Sequence, residues 1–298
     1  MKAICVGHCT FDTTLPVDSY PVENNKYRIE KRVECGGGPA SNAAYLLAKW
    51  GMDTSIAAII GNDYYGKKVY EEFREVGANL NYLELRDGFD TSSSYIIANM
   101  SNGSRTIITS KRKPVRRLNA TIGENFDVIL VDGEHPETAI DVLKSNPNAI
   151  SVLDAGRLND DTRLIGKLVT YVVCSHDFAE EFTSCKIDSK DMDLLIDIYT
   201  QLKNYFNTNI IITLEGNGSF TFIDGEYKIV PSIHVEAIDS TGAGDIFHGA
   251  FTYFIANGYS LEDSIRYASI CGAISVTRIG SRFSIPDFEE VINYDNVI

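Results

Sequence analysis

No run of apolar residues in this chain approaches the roughly eighteen that a membrane-spanning helix needs, and the N-terminal "MKAICVGHC" is too short for a secretory signal. The expected location is the cytoplasm. Cysteines are few and scattered. Cys5, Cys9, Cys35, Cys174, Cys185 and Cys271 include no CxxC pair, and several sit in apolar runs where a thiol acts as a small hydrophobe, which fits a reducing compartment. His8, His135, His176, His234 and His248 form no HxxxH or HExxH pattern, so a zinc hydrolase has no support. Basic residues are outnumbered: 27 Lys and Arg stand against 41 Asp and Glu, a formal charge of -14 at pH 7. That excludes a chain that coats nucleic acid or an anionic membrane, either of which needs a dominant basic face. The absence of GxxxxGK[ST] excludes a P-loop enzyme.

What is present is an ordinary globular composition, 44% hydrophobic and 23% charged, over 298 residues. Apolar runs of strand length recur in "AICVG", "TSIAAIIG", "DVILVDG", "AISVLDAG", "TYVVCS" and "NIIITLEG", most of them ending in Gly, Asp or Ser. Runs of this kind are buried on both faces, as in parallel sheets. Helix-period segments lie between them, such as "SNAAYLLAKWG" and "YGKKVYEEFREVG", each stopped by a glycine. The expected fold is α/β, a doubly wound, mainly parallel sheet flanked by helices. Residues 12–35 and 91–115 break the rhythm. Asn102-Gly103 between alternating runs signals a hairpin, and the two segments predict a small β-sheet lid over the strand ends, where open α/β sheets bind ligands. Within the second segment and its flank, "KRKPVRR" (111–117) gathers five positive charges, either a solvated loop or a collar for an anionic substrate.

Two glycine clusters carry the chemistry. In "DSTGAGDIFHGAF", Gly242 and Gly244 allow close approach of backbone to a ligand at a helix start, where unpaired N–H groups attract anions. Asp245 in that first turn either complements the helix dipole or accepts the proton of an attacking hydroxyl. In "ECGGGPASNAAYLLAKWG", Gly36, Gly37 and Gly38 precede Asn42, whose amide suits a polyhydroxy ligand; the alternative is a tight turn with Ser41 as helix cap. "GAGDIFHG" is not GxGxxG and lies late in the chain, which disfavours a dinucleotide oxidoreductase. His248, three residues past Asp245, reads as helix packing. Glu134 and His135, just past a strand end, touch a substrate or cap the next helix.

These two motifs, with "IIGNDYYGKKVYEEFREVGAN" between them, resemble the PfkB (ribokinase-like) family of sugar kinases over nearly the whole chain. The resemblance implies one ribokinase-like kinase domain over 1–298 that uses ATP and magnesium. It makes Asp245 the catalytic base, and Gly242, Ala243 and Gly244 the anion hole. Asp12, Gly37, Gly38 and Asn42 become sugar-binding residues, with Arg105 a lid arginine. Asp239 and Thr241 match positions tied to a monovalent cation such as potassium. Thr213, Gly216 and Gly218 in "TLEGNG" and Gly244 match the nucleotide side, with Cys271 in the segment 266–281 that closes the adenine pocket.

Two departures stand out. Glu215 occupies a position that is glycine in the family's adenine loop, and Ser175 and Phe178 replace an Asn and a Glu linked to magnesium and phosphate. The second pattern resembles the ketohexokinase branch and points to a ketose such as fructose. The alternatives are a phosphorylated or sulfonated sugar, a nucleoside, or, from a different class, a non-catalytic sugar sensor on a kinase fold. Lid strands with open edges predict a homodimer, with sugar and ATP as the only other partners.

Overall fold

The structure is a computed structural model that describes residues 1–110 and 114–295. Its strands, in chain order, are β1 (Lys2–Val6), β2 (Thr10–Val17), β3 (Val33–Gly37), β4 (Asp53–Gly61), β5 (Leu83–Arg86), β6 (Ser92–Asn99) and β7 (Ser104–Ser110). They continue with β8 (Val128–Val131), β9 (Ile150–Ala155), β10 (Tyr171–Ser175), β11 (Asn209–Thr213), β12 (Ser219–Ile223) and β13 (Glu226–Val230). Nine of them form one sheet in the order β13-β12-β11-β10-β9-β8-β1-β4-β5. All neighbours from β11 to β5 pair in parallel, and the edge pair β12–β13 is antiparallel.

The six apolar runs are β1, β4, β8, β9, β10 and β11. Runs such as Ala3 to Val6 and Ile210 to Ile212 are buried throughout because helices cover both faces of the sheet. One face carries the helices Pro39–Lys49, Ala243–Ala256 and Leu261–Val276, packed through Leu46, Phe251 and Ile270. The other carries Pro136–Ser145, His176–Thr183 and Met192–Phe206, packed through Val142, Phe178 and Leu202. The β12–β13 hairpin and the short β5 carry no long apolar run. Asp224 and Gly225 make the turn of the former at φ 53° and 87°, the conformation that an Asp-Gly pair favours in a hairpin.

The chain runs outward from β1 through β4 to β5 and then crosses back to β8 on the other side of β1. This reversal opens a crevice at the carboxyl ends of β1 and β8. The second sheet stands there. Its order is β3-β2-β6-β7, with β2 and β6 parallel and the other pairs antiparallel. Only Gly7, His8 and Cys9 separate β1 from β2, so the small sheet grows directly from the crevice. The hairpin expected at Asn102-Gly103 joins β6 to β7, with Gly103 at φ 69°. Lys111, Arg112 and Lys113 lie outside the described residues.

Candidate active site

The Ala243–Ala256 helix begins where Gly242 adopts φ 77° as its N-cap, a left-handed conformation that glycine takes without strain. A Cβ on Gly242 would stand 2.7 Å from that of Ser281, whereas one on Gly244 would meet nothing within 4 Å. The turn is thus tight against the protein at Gly242 and open at Gly244, the side from which an anion would reach the first N–H groups of the helix. No β-strand leads into it: residues 231–239 are irregular after β13, anchored where the amides of Ile238 and Asp239 donate to Val276 O at 2.7 and 3.1 Å.

Asp245 lies half-buried in the first turn and accepts a 2.8 Å hydrogen bond from Asn42 Nδ2. The two helices meet closely because Gly249 faces Ala43, where a Cβ would come within 3.0 Å of the Ala43 Cα. Asn42 is fully buried, and its Oδ1 has no hydrogen-bond partner, so one acceptor remains aimed beside the base. Burial pushes the Asp245 carboxyl up to about 7, helped by the nearby charge of Asp154 and opposed by the Asn42 hydrogen bond. A carboxylate with that value is poised to take and return a proton near neutral pH.

Gly38 starts the Pro39–Lys49 helix at φ 96°, where a Cβ would fall 2.6 Å from His8 O. Ser41 does not cap this helix, since the cap position is Gly38 with Pro39 following; the Ser41 hydroxyl instead accepts from Arg282 Nη2. Gly37 lies against Asp12, so a Cβ there would overlap the carboxylate at 2.0 Å. Asp12 on β2 is buried and accepts from Ser281 Oγ at 3.1 Å and from Ser94. Burial raises its carboxyl to about 6, against those two hydrogen bonds.

Ser281, Arg282 and Asp132 were not among the residues that the sequence singled out, yet they shape the site. Arg282 is buried, stacks 5.0 Å from the Tyr45 ring and 4.7 Å from that of Phe73, and donates to Glu72 Oε2 at 2.8 Å. Glu72 also accepts the Gly36 amide, at 3.1 and 2.9 Å for its two oxygens, so a charge pair braces the glycine loop. Asp132, just beyond β8, accepts the His8 and Ala40 amides at 2.7 and 3.1 Å and ties the β1–β2 link to the helix start. Its position at a strand's carboxyl end, shared with Asp154 on β9, was the one clue available in sequence. His135 is the N-cap residue of the Pro136–Ser145 helix, and its Nδ1 lies 2.5 Å from Val115 O, so it is structural.

The turn of the small sheet docks on the base loop. Gly103 O accepts the Ser240 amide and hydroxyl at 3.3 and 3.0 Å, and Arg105 Nη1 donates to Ser240 Oγ. Arg105 therefore sits beside the Asp239–Asp245 loop. Asp239 accepts the amides of Thr241 and Gly280 at 2.9 and 3.0 Å, and the buried Thr241 Oγ1 has no partner. Arg116 and Arg117 are exposed and pair with Glu137, Asp161 and Asp141, which is the solvated reading at these two positions.

On the far side of the crevice, Thr213 ends β11 and donates to Cys174 O at 3.3 Å. Glu215 adopts φ 52°, so the backbone keeps the left-handed turn that glycine would favour, and Gly218 follows at φ 96°. Gly216 is open, with nothing within 4 Å of a Cβ. Ser175 caps the His176–Thr183 helix by accepting the Phe178 amide at 3.1 Å, and Phe178 is core. Neither offers a metal ligand. Cys271 has no exposed surface and packs inside the core rather than lining a pocket.

Comparison with known proteins gives this geometry its context. The family pattern of the pfkB family carbohydrate kinases matches residues 1–287. The chain is 25% identical to the ribokinase of Bacillus subtilis over 98% of both chains. It is 23% identical to the ATP-dependent ribose-1-phosphate kinase of Halopiger xanaduensis, over 95% of this chain and 94% of that one. The structure of Arabidopsis thaliana ribokinase complexed with ribose and ATP superposes with a TM-score of 0.80 at 20% identity, covering 98% of this chain and 97% of that one.

Proposed function

The chain belongs to the pfkB family of carbohydrate kinases, phosphotransferases that act on hydroxyl groups, and from that premise we propose which residues perform the transfer and on what. The γ-phosphoryl group of ATP passes to a hydroxyl of a small sugar held between the base-bearing helix and the small sheet. The observation that carries this reading is the pair Asn42–Asp245, a raised carboxylate 2.8 Å from a buried amide whose own oxygen is unpaired. Asp245 accepts the hydroxyl proton, Asn42 orients both groups, and Asp12, Gly37 and Gly38 hold the other hydroxyls. The Gly242–Gly244 turn supplies N–H groups to the phosphoryl oxygens.

Magnesium supplies charge neutralisation to the phosphates when bound. Among the described residues no group of three or more His, Cys, Asp or Glu side chains could hold a metal ion, which fits an ion carried in by ATP rather than by a protein cage. A potassium ion fits the 239–241 turn, where Thr241 Oγ1 is a buried oxygen without a partner.

The sugar is a ketose such as fructose or an aldopentose such as ribose. The ketose reading rests on the Ser175–Phe178 segment, whose observed role as a helix cap makes it indifferent to the sugar. The ribokinase name of the Bacillus relative favours ribose. A phosphorylated sugar is the second reading, supported by Arg105 beside the base loop and by the name of the Halopiger relative. The test is ADP release with ribose, fructose, ribose 1-phosphate, fructose 6-phosphate and a nucleoside. Sugar-dependent release supports the reading. Tight sugar binding with no release from any of them would overturn it.

A further inference from the structure

One buried side chain near the base is unused by that account. His248 lies one turn along the helix from Asp245 with almost no exposed surface. Its Nδ1 stands 2.6 Å from Gly244 O and 3.2 Å from Asp154 Oδ2, and its Nε2 stands 3.1 Å from Val173 O. Two ring nitrogens thus face three oxygens, on the base-bearing helix, on β9 and on β10.

A carbonyl only accepts, so both short contacts are hydrogen bonds only when both nitrogens carry hydrogen. Burial lowers His248 below the ordinary imidazole value, against the opposite pull of the two carbonyls and of the Asp245 charge. Burial and the charge of Asp132 push Asp154 up to about 8, toward holding one. The pair therefore competes for a single proton. The three oxygens around the ring decide the contest, because a proton on Asp154 would leave one ring nitrogen pressed against a carbonyl oxygen.

We propose that His248 is a positioning residue for phosphoryl transfer, carried as an imidazolium balanced by Asp154, which fixes and polarises the peptide joining Gly244 to Asp245. That peptide presents its carbonyl to His248 and its N–H toward the helix start, where the phosphoryl group would sit. A charged donor on the carbonyl strengthens the N–H as a donor in turn. The positive ring also offsets the negative charge that Asp154 and Asp12 would impose on Asp245.

The inference rests on Asp245 being the base, and its test separates the two. In the wild-type enzyme, ring ¹⁵N spectra at pH 7 should show both nitrogens of His248 protonated; a neutral ring with one protonated nitrogen would overturn the proposal. His248→Asn should lower kcat roughly tenfold or more, by loss of a polarised donor. It should leave the sugar KM nearly unchanged and move the acid limb of kcat/KM to higher pH, because Asp245 loses a neighbouring positive charge. A His248→Asn enzyme with wild-type kcat and an unmoved limb, beside an inactive Asp245→Asn enzyme, refutes the role of His248 alone. An active Asp245→Asn enzyme refutes the base instead, and the ring spectra still judge His248.

Discussion

At the scale of the residue, function and stability pull against one another at buried carboxylates. Asp245, held up to about 7, must lose its proton to act as a base, so kcat/KM should fall as pH drops through about 7. A profile flat from pH 5 to 8 would contradict that. For stability the sign is opposite. A carboxyl whose folded value is raised favours the native state below its unfolded value and loses that contribution as pH rises through the folded one. Asp12 and Asp245 are both of this kind, at about 6 and 7. Asp245→Asn should therefore melt higher at pH 8, by about 2–4 °C for each 1 kcal/mol of relief, while turnover falls roughly 10²- to 10⁴-fold. Calorimetry and turnover on one preparation check both. Asp245 was legible in the sequence because the glycines around it made its carboxylate conspicuous. Arg282 and Ser281 were not, because their partners, Glu72 and Asp12, lie more than 200 positions away and nothing local marks the contact.

At the scale of the element, the site is three loops set by glycines whose missing side chains have different causes. Gly37 is close-packed against Asp12, so Gly37→Ala should displace that carboxylate and raise the sugar KM by roughly tenfold or more, with little change in the KM for ATP. Equal effects on both substrates would argue against a sugar role for this loop. At Glu215 the conformation survives without the glycine. Returning it as Glu215→Gly should stabilise the protein by about 0.5–1 kcal/mol, the left-handed strain of a side chain less the entropy of glycine. A lower melting temperature would show that Glu215 makes a contact worth more than that strain. The parallel strands were legible because their apolar runs are continuous, and the small sheet because its runs alternate between turn residues. The irregular 231–239 segment, which leads from β13 to the base loop, carries no comparable run or period that would mark its path.

At the scale of the molecule, the small sheet carries both Asp12 and an open apolar surface. Tyr95, Ile107 and Ile108 are 45%, 46% and 59% exposed, and among the described residues β7 is an edge strand. An edge of this kind is stabilised by pairing. We propose a homodimer through these strands. Sedimentation at micromolar concentration should give a dimer, and Ile108→Lys should yield monomers with weakened sugar binding; a wild-type monomer would contradict the assembly. The two-sheet architecture was legible as a whole, whereas the choice of sugar rests on a few side-chain contacts and is not a property of the fold. The central claim, that Asp245 delivers a sugar hydroxyl to the γ-phosphorus of ATP, is tested most directly by ³¹P spectroscopy of the products. Wild-type enzyme with its preferred sugar should give ADP and a sugar phosphate monoester in equal amounts, and Asp245→Asn should give the same products at least roughly 10²-fold more slowly. Inorganic phosphate in place of the ester, or an Asn enzyme at the wild-type rate, would contradict it.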